Sequence, residues 1–431
     1  MISILVYTEN LCPRASYVFK FIFEQYANVE INFTADIHEY SISKAICITY
    51  SKQRIRENEF FVFESGNLYI SSPEISDIQS RYSDDELQLF PSENGFDLIA
   101  SIFFVLSRME EYAAPKLDQH QRFTSNSSVL QSVLKCNVPI VDSWASKFVQ
   151  NLESHFSIKL VHKGKYNFEL GVDIDFFWKY KNKRFRNLFG LLKDLSRFEL
   201  QKCKQRMDTI FGQRKDPFDT YAFFEELGLQ KSNLFFFILS GGNSIYDKNI
   251  SIRHPEVMKL ISSLRRFATI GIHPSYNAAL DKQLLSKEID ELTAVNNELI
   301  GKSRFHYIRM QLPLSYRHLI DQNIFEDYSM GYADKVGFRA GTSQVYYWFD
   351  IEKNEQTNLR LFPFIAMDRT LLSYMNLGKA DVLLEIKKMI DQVRLYNGNF
   401  HLIWHNSSFD ECESWSGYEE LLKEIVAYGK V

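Results

Sequence analysis

The chain opens with apolar runs that alternate with amphipathic stretches. "ISILVY" (2–7) has the pattern of a buried strand, "ASYVFKFIFEQY" (15–26) carries apolar residues at helical spacing, and "VEINFTA" (29–35) returns to an extended pattern. Three further strand-like runs follow: "KAICITY" (44–50), "EFFVFES" (59–65) and "NLYISS" (67–72). Two helical patterns come next, "GFDLIASIFFVLSRMEEYAA" (95–114) and "PIVDSWASKFVQNLESHF" (139–156). The polar stretch between them, "PKLDQHQRFTSNSS" (115–128), is expected to be a surface loop. Near residue 160 the segment "SIKLVHKGKYN" turns polar and basic, which places a domain boundary there.

Beyond that boundary the period changes. Strand candidates "FELGVD", "NLFFFILS", "FATIGIH", "FHYIRM", "YSMGYAD", "LRLFPFIAM" and "FHLIWH" alternate with helical patterns such as "DPFDTYAFFEELGLQ", "HPEVMKLISSLRRF", "DKQLLSKEIDELTAVNNELIG" and "DVLLEIKKMIDQVRLYN". Strand and helix in alternation predict a parallel sheet covered by helices, and seven strand candidates fit a (β/α) barrel. The expected fold is therefore α/β: a smaller N-terminal α/β domain over 1–160, of unassigned role, followed by a barrel over 161–431. One segment interrupts the alternation. Residues 179–215 hold twelve Lys and Arg against Asp194, Glu199 and Asp208 in a helical pattern, as an inserted basic hairpin would. Its cations form either a solvated face or a contact for an anionic polymer or membrane surface.

Composition narrows the function. Hydrophobic residues make up 45% and charged residues 24%, an ordinary globular balance, and 36 Phe with 23 Tyr point to large aromatic cores. A net charge of −4 and a pI near 6.2 give no reason to expect nucleic acid as a partner. No apolar run is long enough for a transmembrane segment, and "MISILVYTEN" lacks the basic start and small-residue cleavage site of a secretory signal. Cys12, Cys47, Cys136, Cys203 and Cys412 are scattered and form no C-x-x-C pair, which fits reduced thiols and a cytoplasmic, at most membrane-associated, address.

The chemistry-bearing residues favour one end of each strand candidate. Asp173 and Asp175 close the first, Ser240 the second, His273 the third and Arg309 the fourth; Asp334 and Asp368 follow the fifth and sixth, and His405 ends the seventh. The C-terminal rim of such a barrel carries its active site. Two carboxylates at i and i+2 on a strand share one side and cannot both be charged without a cation nearby. One can ligate a metal while the other serves as general base. An Asp–Arg salt-bridge network satisfies the same spacing, and spacing alone does not choose between them.

In order, "GVDIDF", "GIHPSYN", "GKSRFHYIRM", "GYADKVGFRAG" and "LIWHN" resemble the motifs of the NodB-like polysaccharide deacetylases, metal-dependent amide hydrolases on a deformed (β/α)7 barrel. The resemblance spans about 165–410, and "FFVLSRMEEY" (103–112) is similar to a helix found in a subgroup with an N-terminal α/β domain. It implies Asp173 as general base, Asp175 and His273 as metal ligands, and Arg304 (or Arg309) holding the base. It implies Asp334 as the residue orienting His405, the general acid. The second motif departs from the family: Asn277 stands where a second histidine is usual and is the third expected metal ligand, through its carbonyl oxygen, although a neutral amide is a poorer zinc ligand than imidazole. His306 supplies the missing imidazole or is a satisfied core histidine. Asp368 is a further rim carboxylate or a helix N-cap. Arg339 binds an acidic group on a glycan or forms a rim salt bridge. The implied cofactor is a divalent metal, zinc first, with cobalt and manganese as alternatives. The implied activity is removal of N-acetyl or related acyl groups from a carbohydrate substrate, an amino-sugar glycan or its precursor. The alternative is a catalytically degenerate deacetylase fold that binds glycan or scaffolds envelope-polysaccharide enzymes.

Overall fold

The computed structural model describes residues 1–70, 80–83, 86–92, 95–112, 115–134, 137–241, 244–413 and 415–430. Cys136, Ala113, Ala114, Ser71 and Ser72 lie outside the described residues, and the start of "NLYISS" is a 3-10 turn, Asn67–Tyr69. A first sheet holds β1 (Ile2–Thr8), β2 (Val29–Thr34), β3 (Ile46–Ser51) and β4 (Phe60–Phe63), all parallel, in the order β2-β1-β3-β4. Its longer helices are α1 (Pro13–Phe23), α2 (Leu98–Leu106) and α3 (Ile140–Phe156), and a short helix, Ile37–Ile42, joins β2 to β3. Asp97 caps α2 by accepting from the Ala100 N–H at 2.9 Å, and Arg108, at φ 59°, breaks the long helical pattern expected there. α1 is apolar on two faces for a reason. Phe19 meets Tyr50 of β3, while Tyr17 and Phe21 meet Phe349 and Tyr346 of the second sheet. The helix lies between the sheets.

The second sheet contains β5 (Asn167–Ile174), β6 (Leu234–Ile238), β7 (Thr269–Ile272), β8 (Lys302–Ser303), β9 (Glu326–Asp327), β10 (Tyr346–Asp350), β11 (Glu355–Leu361), β12 (Phe364–Met367) and β13 (Asn399–His405). The spatial order is β10-β11-β9-β8-β7-β6-β5-β13-β12, with every neighbour parallel except the β10–β11 hairpin. β11 and β12 are one run bent at Phe362–Pro363: its first part pairs with β9 and its second with β13. The two ends of the parallel ladder are thus joined by consecutive residues. Helices Pro255–Leu264, Lys282–Asn296, Leu314–Asp321, Lys379–Leu395 and Tyr418–Gly429 follow the strands. Between β5 and β6 the basic segment forms two helices, α4 (Arg184–Ser196) and α5 (Leu200–Ile210). No helix among the described residues is long and apolar enough to cross a membrane.

Two strands differ from expectation. The fourth and fifth are two-residue segments that end before "FHYIRM" and "YSMGYAD"; in the fourth, Tyr307 and Ile308 adopt left-handed φ values of 62° and 54° that no strand accommodates. β10 is an additional strand: it is an aromatic run buried along nearly its whole length, partly under α1, and so shows no polar–apolar alternation.

Alternation along β5 sends Glu169, Gly171 and Asp173 to one face, and along β13 it does the same for His401 and His405. Arg304, fully buried, fills the space over Gly171. It donates to Asp173 Oδ1 at 2.6 Å, to the Tyr328 carbonyl at 3.2 Å and to His401 Nε2, and it stacks 4.1 Å over Phe237. His401 passes the chain on, Nδ1 donating to Glu169 Oε2 at 3.0 Å. Burial, reinforced by the Arg304 guanidinium, lowers the His401 pKa to about 4 against the pull of Glu169, so the ring is neutral and accepts from Arg304.

A Cβ at position 171 would lie 2.6 Å from both Arg304 Nη1 and His401 Nε2. Gly171→Ala should therefore destabilise the fold by about 1–3 kcal/mol in denaturant titration; an unchanged midpoint would show that this column can shift freely. The neutral histidine also sets a pH dependence. Its unfolded form takes a proton near 6.5, so the stability this residue contributes is complete above that pH and declines as pH falls toward 4, by about 3 kcal/mol. His401→Gln should remove that part of the slope; an identical pH profile would mean that His401 is not held neutral.

Candidate metal centre and catalytic site

The rim at the ends of β5, β7 and β13 opens into a cavity of about 510 Å³. Asp175 lies just past β5, and three imidazoles surround it. His273 Nε2 is 3.4 Å and His306 Nε2 3.6 Å from Asp175 Oδ1, and His405 Nε2 is 3.8 Å from Oδ2. Each ring has its other nitrogen committed. His273 Nδ1 donates to the Arg304 carbonyl, His306 Nδ1 to Asp247 Oδ1 at 2.7 Å, and His405 Nδ1 to Asp368 Oδ1 at 2.7 Å. Those partners fix the tautomers of His273 and His306, leaving their Nε2 lone pairs aimed at a carboxylate oxygen.

Three acceptors converging without a donor are electrostatically unfavourable unless a cation joins them. Asp175 Oδ1 is buried and has no hydrogen bond. The ligand atoms of Asp175, His273 and His306 lie within 4.8 Å of one another, so the donor set and its spacing fit a divalent metal. Burial pushes the Asp175 carboxyl up, and only positive charge among the surrounding His306, His273 and His405 rings brings it below the ordinary carboxylate range; with His273 and His306 neutral, a cation between them would supply that charge. Asp247 is likewise held low, against burial, by His306 and Ser244.

Asp173, held by Arg304, keeps Oδ2 on the cavity side, 3.9 Å from His273 Nε2. On the opposite flank burial lowers the His405 pKa, yet Asp368 more than compensates and raises it to about 9. Asp368 also accepts from the His405 backbone N–H at 2.8 Å.

The structure brings Asp173, Asp175, His273, His306, Arg304 and His405 together and leaves four expected residues elsewhere. Asn277 is exposed, its backbone carbonyl accepting from Leu280 and Asp281 in the loop after β7; His306 supplies the second imidazole instead. Asp334 accepts from the Ser125 N–H and hydroxyl, and the place expected for it against His405 belongs to Asp368, directly after β12. Arg309 donates to the Tyr276 carbonyl and Gln121, away from Asp173. Arg339 is buried in a two-pronged pair with Glu111, which closes it to a glycan.

Other residues were missed. Asp247 sits on an irregular loop with no sequence signal, whereas His401 and Glu169 were legible in strand alternation with His405 and Asp173. "PKLDQHQRFTSNSS" is no free loop: Arg122 donates to the Tyr307 carbonyl and the Tyr374 hydroxyl and lines the cavity. The left-handed Tyr307 and Ile308 form the wall beside His306, local strain adjoining a candidate ligand. Lys248 and Arg369 add positive charge to the lining.

The model of a family of unknown function, DUF7033, matches residues 4–157. No curated protein matches the chain. Among solved structures, a protein designated a polysaccharide deacetylase from Mycobacterium smegmatis is 13% identical over 61% of this chain and 83% of its own, with a TM-score of 0.40. PuuE allantoinase is 12% identical over 62% and 85%, at 0.39. A 4-alpha-glucanotransferase from Thermococcus litoralis is 13% identical over 61% of this chain and 37% of its own, at 0.36. At TM-scores below 0.5, these likenesses carry no residue roles over.

Calorimetric titration with zinc, cobalt and manganese checks the donor set. His273→Ala and His306→Ala should abolish tight binding, Asp247→Asn should weaken it roughly 10–100-fold, and Asn277→His should change little. Binding that survives loss of His306 but responds to position 277 would overturn the assignment.

Proposed function

We propose that the protein is a metal-dependent hydrolase that removes N-acetyl or related acyl groups from an amino-sugar glycan or its precursor. The carrying observation is the orphaned Asp175 Oδ1 facing two imidazole lone pairs, flanked by a fixed carboxylate on one side and a carboxylate-backed imidazole on the other. The ladder joined through 361–364 supports reading residues 161–431 as a seven-stranded (β/α) barrel. Residues 1–160 are proposed as a module that braces it and lends Arg122 to the cavity wall.

Asp175, His273 and His306 would hold the metal, with zinc favoured by two imidazoles and one carboxylate. When bound, a divalent ion there supplies Lewis acidity toward a carbonyl oxygen and toward water. Asp173 is the general base. Arg304 occupies one of its oxygens and keeps the carboxylate oriented, so the other can take a proton from an attacking water. His405 is the general acid: with Nδ1 tied to Asp368, the proton it can deliver to a leaving amine is on Nε2, facing the cavity. The lining mixes aromatic side chains such as Phe176, Tyr246 and Tyr307 with the cations Arg122, Lys248 and Arg369, a combination that suits a sugar, which offers both ring faces and hydroxyls. The alternative of a degenerate, glycan-binding barrel drew on Asn277, and His306 takes away that motive.

Acetate release from N-acetylated amino-sugar oligomers by the metal-loaded protein tests the reading. Asp173→Asn, His405→Gln and Asp368→Asn should each lower the rate by about 10²-fold or more with metal content retained, whereas Asp334→Asn should stay near wild type. A loaded wild-type protein that binds these oligomers but releases no acetate would favour the binding-module alternative.

A further inference from the structure

Helical hairpins on protein surfaces normally turn their leucines inward. α4 does the opposite. The side it turns to α5 is polar: Arg206 donates to Asp194 Oδ2 from Nε at 3.0 Å and from Nη2 at 2.7 Å, and from Nη1 to Asn187 Oδ1 at 3.3 Å. A Cβ on Gly190 would come within 2.6 Å of Arg206 Cζ, so glycine leaves the space in which the guanidinium lies. With Asn187, Gly190 and Asp194 facing the partner helix, Leu188, Phe189, Leu192 and Leu195 face outward. Phe189 is 71% exposed, and Phe198, at the turn with φ 56°, is 86% exposed. Leu200, Ile210 and Phe211 extend the apolar surface along α5.

An outward apolar face of this size marks an interaction site. Its charges say what covers it. Lys193, Arg197 and Lys204 are exposed beside it and form no ion pair among the described residues. Twelve Lys and Arg against three acids give residues 179–215 a net charge of +9 in a chain whose net charge is −4. Two copies of this surface would bring like charges together. Basic residues around protruding Phe and Leu are the chemistry of an interfacial helix on anionic lipid. A 13-residue α4 is about 20 Å long, suited to lying in the headgroup layer.

We propose that the α4–α5 hairpin docks the protein on an anionic phospholipid surface, with Leu188, Phe189, Leu192 and Phe198 inserted and Lys193, Arg197 and Lys204 at the headgroups. The hairpin adjoins the cavity mouth. Arg186 Nη1 donates to the Lys248 carbonyl at 3.2 Å and Lys183 lies 4.9 Å over Phe176, while Phe176, Lys248 and the exposed Ile245 line the cavity. Docking therefore opens the site beside the membrane, where a substrate carried on lipid is within reach. The docking surface stands independently of the hydrolase reading.

Flotation of the full chain with phosphatidylcholine vesicles, with and without phosphatidylglycerol, tests this. The wild type should float only with phosphatidylglycerol and weaken as salt rises, since exposed charges are screened within about 10 Å at 0.1 M. Phe189→Ser/Phe198→Ser and Lys193→Glu/Arg197→Glu should each lower partitioning roughly tenfold or more with unchanged melting temperature, as all four side chains are exposed. No flotation of the wild type at low salt, or variants that float as well as the wild type, overturns the proposal. So does a concentration-dependent dimer of the wild type that the Phe189→Ser/Phe198→Ser variant abolishes without any vesicle binding; the face would then be a contact between copies.

Discussion

A guanidinium with no solvent exposure lies at the centre of the second sheet, and what surrounds it follows from the cost of burying it. Arg304 needs a carboxylate, which is Asp173; it needs an acceptor on its other arm, which is a neutral His401 backed by Glu169; and it needs room, which is Gly171. The same residue's carbonyl accepts from His273 Nδ1 and so decides which nitrogen of that ring faces the cavity. One buried cation thereby orients the proposed base and one proposed ligand together. Removing it would leave Asp173 buried and unpaired.

Charge bookkeeping around the rim reaches the same place by another route. Asp173 and Arg304 cancel. Asp175, Asp247 and Asp368 remain, against one protonated His405. Among the groups that touch the three rings the carboxylates outnumber the cations, which favours a bound cation there, while Lys248 and Arg369 add positive charge elsewhere on the cavity lining. The Asp368 carboxylate behind His405 also makes that ring more basic.

How much of this was legible depended on where each residue sits. Asp173, Asp175, His273 and His405 terminate strands of strong apolar pattern, so both their position and their common side could be read. His306 could not be decided, because its backbone turns left-handed immediately afterwards and no periodicity describes such a segment. Asp334 and Asp368 follow strand candidates alike in sequence. Their difference arises at the bend of Pro363 and at Ser125, contacts made over a long span of chain. Arg339 had the right composition for ligand recognition and was claimed by Glu111, 228 residues earlier. The inside-out α4 has the helical period of any amphipathic helix; only the polar seam with Arg206 reveals which face is turned out.

The position of α1 has a consequence for synthesis. Its sheet-facing side can be covered early, by β3 and α3, and Tyr17 gains Phe103 of α2, but Phe21 waits for Tyr346 and the outer side of Tyr17 for Phe349. At a ribosomal rate of about 5–20 residues per second, those partners emerge roughly 15–65 s after the helix. Throughout that interval the nascent chain shows the aromatic rings of Phe21, Tyr17 and Phe103 on the side that Phe349 and Tyr346 later cover. Holdase chaperones bind such surfaces, and so does a neighbouring nascent chain of the same sequence. Yield of native protein is therefore a contest between elongation and capture, set by the distance in sequence between two faces of one helix.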